Sequence, residues 1–225
     1  MGADPRDPSC GNGAMIRIEF HRLRFLVVDD NMHMRRIVRQ LLHGFGSREI
    51  YEAEDGAAGL EAFNGHNPDI VITDWAMPIL DGLELTQMIR KPDANANPYV
   101  PIIMLSGHSE KNRVIQARDA GVTEFLAKPI AAKALYERIL SVVLNPRPFI
   151  RTATFFGPDR RRNVNPNYSG PERRKGKEGA ETIPVAPLAS QVIHAGRLQK
   201  ESERRSAASS VRQSPRSVGA AGSAS

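Results

Sequence analysis

Between Arg24 and Leu144, short apolar runs alternate with segments whose apolar residues recur at the helical period. The runs are Phe25-Leu26-Val27-Val28, Glu49-Ile50-Tyr51-Glu52-Ala53, Ile70-Val71-Ile72, Ile102-Ile103-Met104-Leu105 and Glu124-Phe125-Leu126. Four of them are nearly continuous, as strands buried on both faces should be, whereas 49–53 alternates and suits a sheet edge. The first helical segment carries Met34, Ile37, Val38, Leu41 and Leu42, behind Asn31 as N-cap and ahead of Gly44 as a stop. Leu135, Ile139, Val142 and Val143 mark the last helix, and shorter ones centre on Leu60/Phe63 and Leu85/Met88/Ile89. A fourth, near Val114 and Ile115, is only weakly patterned. Strands and helices in strict alternation predict an α/β fold, with a five-stranded parallel sheet covered by helices on both faces.

After Leu144 the pattern stops. Asn145-Pro146-Arg147-Pro148 breaks the last helix, and the remainder is rich in Ser, Ala, Gly, Pro and Arg, with too few large apolar residues to offset chain entropy. The expected organisation is a disordered leader over 1–21 with Met15 as an alternative start, a folded domain over 22–145, and a largely disordered Arg-rich tail over 146–225. Within that tail Gly157-Pro158-Asp159-Arg160-Arg161 is echoed 13 residues later by Gly170-Pro171-Glu172-Arg173-Arg174. Each copy joins a turn former to paired guanidinium groups, which suits carboxylate or phosphate ligands. Leu188, Val192 and Leu198 mark a further short helix with a thin apolar face.

Charge sharpens this division. Residues 1–145 hold 16 Lys and Arg against 19 Asp and Glu, a net of −3, while residues 146–225 hold 15 against 6, a net of +9. The overall +6 therefore belongs to the tail and says nothing about the surface of the folded domain. The single cysteine, Cys10, excludes a disulfide framework or a cysteine-based metal site, and a reducing cytoplasm is expected. No apolar run has the length of a membrane span. His33, His43, His66 and His108 lack metal-ligand spacing.

The chemistry concentrates at strand ends. In a parallel α/β sheet the C-terminal ends of the strands open onto a common crevice. The chain places Asp29 and Asp30 after the first strand, Asp74 after the third, Ser106 after the fourth and Lys128 after the fifth. Each is costly to bury singly. Together they are three mutually repelling carboxylates, an ammonium and a hydroxyl, a set that calls for a hard divalent cation with oxygen ligands such as Mg²⁺. A carboxylate so neutralised can attack phosphorus and form an acyl phosphate.

These residues resemble the receiver domain of the response-regulator superfamily, in particular its stand-alone chemotaxis type. The resemblance covers residues 24–144 and rests on Phe25-Leu26-Val27-Val28-Asp29-Asp30, Met34-Arg35-Arg36-Ile37-Val38, Thr73-Asp74-Trp75-Ala76-Met77-Pro78, Asp81-Gly82-Leu83-Glu84-Leu85, Ser106-Gly107 and Lys128-Pro129. It implies a flavodoxin-like, doubly wound (βα)5 fold with strand order 2-1-3-4-5, an order that general accounts of doubly wound sheets already tie to this family. It implies that Asp74 is the phosphoacceptor and that Asp30, Asp74 and the backbone carbonyl of Ala76 hold Mg²⁺, with Asp29 acting through a metal-bound water. Lys128 resembles the cation that meets the phosphoryl oxygens, and Ser106 the switch hydroxyl. Phe125 takes the aromatic switch position, often a tyrosine. The implied partners are a histidine kinase or phosphotransfer protein and a downstream protein target on the face of the fourth helix, fifth strand and fifth helix.

Two other function classes compete with this signalling role. An aspartyl-phosphate phosphatase is disfavoured because Ala76 stands where the haloacid-dehalogenase phosphatases place a second Asp as general acid. An effector tail binding nucleic acid or an acidic partner has the charge, but no helix-turn-helix, zinc or RNA-binding motif, so nucleic acid is disfavoured.

Overall fold

The computed structural model describes residues 18–92, 95, 97–107, 111–160 and 181–192 of the 225-residue chain. Five parallel strands, β1 (Arg24–Val28), β2 (Glu49–Ala53), β3 (Ile70–Asp74), β4 (Ile102–Ser106) and β5 (Glu124–Ala127), form one sheet in the order β2-β1-β3-β4-β5. The connecting helices are α1 (Met32–Phe45), α2 (Gly56–His66), α3 (Gly82–Ile89), α4 (Lys111–Ala120) and α5 (Ala132–Leu144). Every residue of β3 and β4 is buried, while β2 takes the predicted edge position, where only Ala53 is buried and burial does not follow the alternation of its sequence. Alternate strand residues feed two cores. Phe25, Val27, Ile70, Ile72, Ile103 and Leu105 meet Val38 and Leu42 of α1 and Leu135 and Ile139 of α5. Leu26, Val28, Val71 and Ile102 meet Phe63 of α2 and Leu85 and Ile89 of α3.

Local chemistry sets the helix ends. Asn31 caps α1 by accepting from the backbone N–H groups of His33 and Met34, as expected. The stop is Gly46, not Gly44: Gly46 adopts φ +102°, a left-handed conformation that glycine enters without steric cost, and Gly44 stays inside the helix. The buried stripe of α1 is narrower than the pattern predicts, since Ile37 lies about 100° around the helix from Val38 and is 42 % exposed. Asp81 and Glu84 form a reciprocal capping box that fixes the start of α3.

The expectation of disorder on either side of the sheet does not hold for the described residues there. Ile18 and Phe20 of the leader are buried in the α1/α5 core, together with Val192 of the tail. The tail adds a second, antiparallel sheet, β7-β6-β8, from β6 (Phe149–Arg151), β7 (Phe156–Pro158) and β8 (Glu181–Ile183), followed by a short helix, α6 (Ala189–Val192). Its aromatic residues are too few for a core of their own but find one on the main domain. Phe149 and Phe156 pack edge-on against Tyr99, with ring centroids 5.2 and 5.4 Å away. Beneath them Arg90 is fully buried, its guanidinium 5.1 Å from the Phe149 ring centroid and donating to the carbonyls of Gly121 and Pro98. Burial pushes Arg90 down to about 9, which leaves it charged at neutral pH. The first Gly-Pro-acid-Arg-Arg copy begins inside β7 and is described as far as Arg160, whereas its Arg161 and the whole second copy lie outside the described residues. Among the described residues no helix is long and apolar enough to cross a membrane.

Candidate functional site

The C-terminal ends of β1, β3, β4 and β5 bring the predicted polar residues to one end of the sheet. Asp29 directly follows β1 and is fully buried, and Asp74 is the last residue of β3, nearly as deep. Asp30 is exposed beside them, and one carboxylate oxygen from each of the three lies within 4.8 Å of the others. Lys128, just beyond β5, bridges the buried pair, its Nζ 3.0 Å from Asp29 Oδ2 and 2.9 Å from Asp74 Oδ1. Ser106 ends β4 and is buried, and its carbonyl accepts from the Lys128 N–H at 2.7 Å, which ties two of the strand ends together. Ala76 follows in the β3–α3 loop, two residues beyond Asp74, exposed between the buried Trp75 and Met77.

Burial raises the Asp74 carboxyl above its ordinary range; hydrogen bonding and attraction to Lys128 oppose this, and Asp29 adds repulsion. Burial alone would lower the Lys128 ammonium, but its hydrogen bonds to Asp74 and Asp29 outweigh that and hold it above the usual lysine value. The site is thus rich in negative charge, with Asp29 and Asp74 buried and Asp30 exposed. One ammonium against three carboxylates leaves an excess of two negative charges, carried by hard oxygen donors that suit Mg²⁺.

Backbone contacts hold these groups in place. The second Asp29 oxygen, Oδ1, accepts from the Asn31 N–H at 2.9 Å. Arg35 Nη1 donates to the Asp29 carbonyl at 2.7 Å and more weakly to that of Asp30. The Gly82 N–H returns to the Trp75 carbonyl, and a Cβ at Gly82 would collide with the Asp74 carbonyl oxygen. Arg35 and Gly82 stand within the family-like motifs, but neither has a role legible from its motif alone. The sequence holds a signal only for Gly82, where a glycine just after an N-cap aspartate marks close backbone approach.

Aromatic residues lie beside the site. Trp75, next to Asp74, meets Phe125 of β5 edge-on at 6.5 Å, and the Arg113 guanidinium of α4 lies 5.3 Å from the Trp75 ring centroid. Phe125 is half-buried. His108 lies outside the described residues.

Residues 25–140 match the family model described as the response regulator receiver domain. The chain is 33 % identical over 117 residues to the chemotaxis protein CheY of Pseudomonas aeruginosa, covering 52 % of this chain and 93 % of that one. It is 34 % identical, again over 117 residues, to CheY-3 of Vibrio cholerae, covering 52 % and 88 %. The crystal structure of the chemotaxis protein CheY4 of Vibrio cholerae superposes with a TM-score of 0.50 at 27 % identity, covering 53 % of this chain and 98 % of that one. The family match ends at residue 140, and each of these proteins aligns with about half of this chain.

Proposed function

The chain belongs to the response regulator receiver family of two-component signalling, and from that premise we propose that it accepts a phosphoryl group on Asp74 and passes the signal on by protein contact. The observation that carries this reading is the set of three carboxylates at one sheet end with Lys128 bridging two of them. In the proposed step an Asp74 carboxylate oxygen attacks the phosphorus of a donor. The new P–O bond forms as the bond from phosphorus to the donor's leaving group breaks, and an acyl phosphate remains on the protein. Asp30, Asp74 and the Ala76 carbonyl would hold Mg²⁺, with Asp29 reaching it through water, and the bound ion supplies neutralisation of the carboxylates and of the phosphoryl oxygens. Lys128 is already within hydrogen-bond reach of Asp74, so it moves little to meet the phosphoryl group. Ser106, at the end of β4, and Phe125, edge-on to Trp75, carry the change toward α4 and β5.

In this reading the protein acts in the cytoplasm, the donor is a histidine kinase or phosphotransfer protein, and the output face is α4–β5–α5. Turnover is limited to its own phosphorylation and dephosphorylation, so it signals and does not process a substrate pool. The test is uptake of label from radiolabelled acetyl phosphate with Mg²⁺. Wild-type protein is expected to be labelled, Asp74→Asn and wild type in EDTA are not, and labelling that survives either change refutes the assignment.

A further inference from the structure

The C-terminal extension builds a wall of the output face. A groove of about 430 Å³ lies along α4 and β5, floored by Val114, Val122 and Phe125 and rimmed by Arg118, Arg147 and Arg160. Arg147 and Arg160 lie beyond residues 25–140, the part matched to the family. Both are held in place. Arg147 pairs with Glu124 at 3.8 Å and donates to the Asp159 carbonyl, while Arg160 pairs with Asp119 at 3.3 Å and stacks 4.3 Å from the Phe155 ring centroid. The two carboxylates, Asp119 and Glu124, are shared among four guanidinium groups, since Arg118 also pairs with Asp119 and Arg138 with Glu124. The groove lining itself carries three guanidinium groups, Arg118, Arg147 and Arg160, against the one carboxylate of Glu124, around an apolar floor.

That combination selects an occupant. Positive charge opposes the chain's own basic tail, in which 15 Lys and Arg face 6 Asp and Glu from residue 146 onward. A mostly aliphatic floor with one aromatic ring offers little for nucleobases to stack on, whereas it suits an aliphatic anchor on a peptide. Charge complementarity of this kind steers encounter and fixes partner choice. The floor also communicates with the site, because Phe125 contacts Trp75, the neighbour of Asp74.

We propose that Arg147 and Arg160 of the extension, together with Arg118 of α4, make the α4–β5 groove a docking site for an acidic, aliphatic-anchored segment of a partner protein. The proposal rests on α4–β5–α5 being the output face and adds the partner's chemistry and the residues that select it. The test uses the full chain and a short fluorescein-labelled synthetic peptide of Glu residues with a leucine face, followed by anisotropy with and without acetyl phosphate and Mg²⁺. Saturable binding is expected, weakening with salt, and Arg147→Gln with Arg160→Gln should raise Kd by about tenfold or more. Arg147→Lys with Arg160→Lys, which keeps the charge, should restore much of the affinity, and thermal melts of both pairs check folding.

Absence of saturable binding to the full chain overturns the proposal. So does an unchanged Kd in the folded Gln pair, equal binding of a peptide with Lys in place of Glu, or displacement by a thymidine oligonucleotide at lower concentration than by unlabelled peptide. Phosphoryl uptake on Asp74 is scored separately. If uptake fails while the peptide binds, the phosphorylation reading falls and the groove stands; if uptake succeeds without binding, the groove falls alone.

Discussion

Replacing Phe149 by alanine measures how firmly the C-terminal extension belongs to the domain. The side chain is 3 % exposed and sits among Tyr99, Phe156 and the Arg90 guanidinium, at 5.2, 5.4 and 5.1 Å. Removing it forfeits burial of about 1.5–3 kcal/mol and two aromatic contacts of roughly 0.5–1.5 kcal/mol each. It also leaves a charged, buried arginine without its ring. Phe→Ala changes in cores cost about 3–5 kcal/mol. Phe149 lies where a small sheet meets the main body and the gap can partly close, so about 3 kcal/mol is expected, or some 6–12 °C in Tm for a chain of this size. Urea unfolding followed by far-UV circular dichroism and by Trp75 fluorescence reads the loss, with the exposed Thr154→Ala as a control expected to stay within about 0.5 kcal/mol of wild type. A loss for Phe149→Ala no larger than the control's refutes the packing argument and leaves the extension a passive appendage.

Three further outcomes follow from the site and its loops. Asp74→Asn in EDTA should raise Tm at pH 7: a carboxyl whose folded pKa lies above its unfolded value penalises the fold once ionised, and the penalty is relieved as pH falls through the folded pKa, so the gain should close in acid. A gain that persists at pH 3 contradicts this, since Lys128 keeps Asp29 as partner in both proteins. Gly82→Ala should abolish or severely slow labelling by acetyl phosphate, because its Cβ would displace the Asp74 carbonyl, and normal labelling of a folded variant refutes the close approach. Ile79→Gly should stabilise by about 1 kcal/mol in urea titrations, since Ile79 is 88 % exposed and holds φ +70°, where a β-branched side chain is strained by roughly 1–2 kcal/mol; unchanged or lower stability argues against strain there.

The five strands and the cluster at their ends were legible because both are properties of short segments. A strand buried on two faces is apolar along most of its length, so β1, β3 and β4 announce themselves, and the polar residues at or just after their C-terminal ends have only the crevice to occupy. Asp74 belongs to β3 itself, one pleat further than the apolar run implies. The extension was illegible for the opposite reason. Strands of three residues carry no measurable period, and Phe149 is buried by Tyr99 and Arg90, fifty or more positions away. Arg90 itself looks like an ordinary surface residue at a helix end, and only the fold reveals that Phe149 and Gly121 close over it. Nothing in local propensity anticipates Ile79 at positive φ either, since β-branching disfavours it.

Val192 has no solvent exposure, and its carbonyl accepts from the Glu19 N–H at 3.0 Å, so part of the α1/α5 core is supplied from far along the chain. On the ribosome, α5 is finished roughly fifty residues before Val192 is added, a lag of about 2–10 s at ordinary elongation speeds. Until Val192 is added, one edge of the hydrophobic interior lacks its cover. Sealing of that edge is therefore a late event in the synthesis of the molecule.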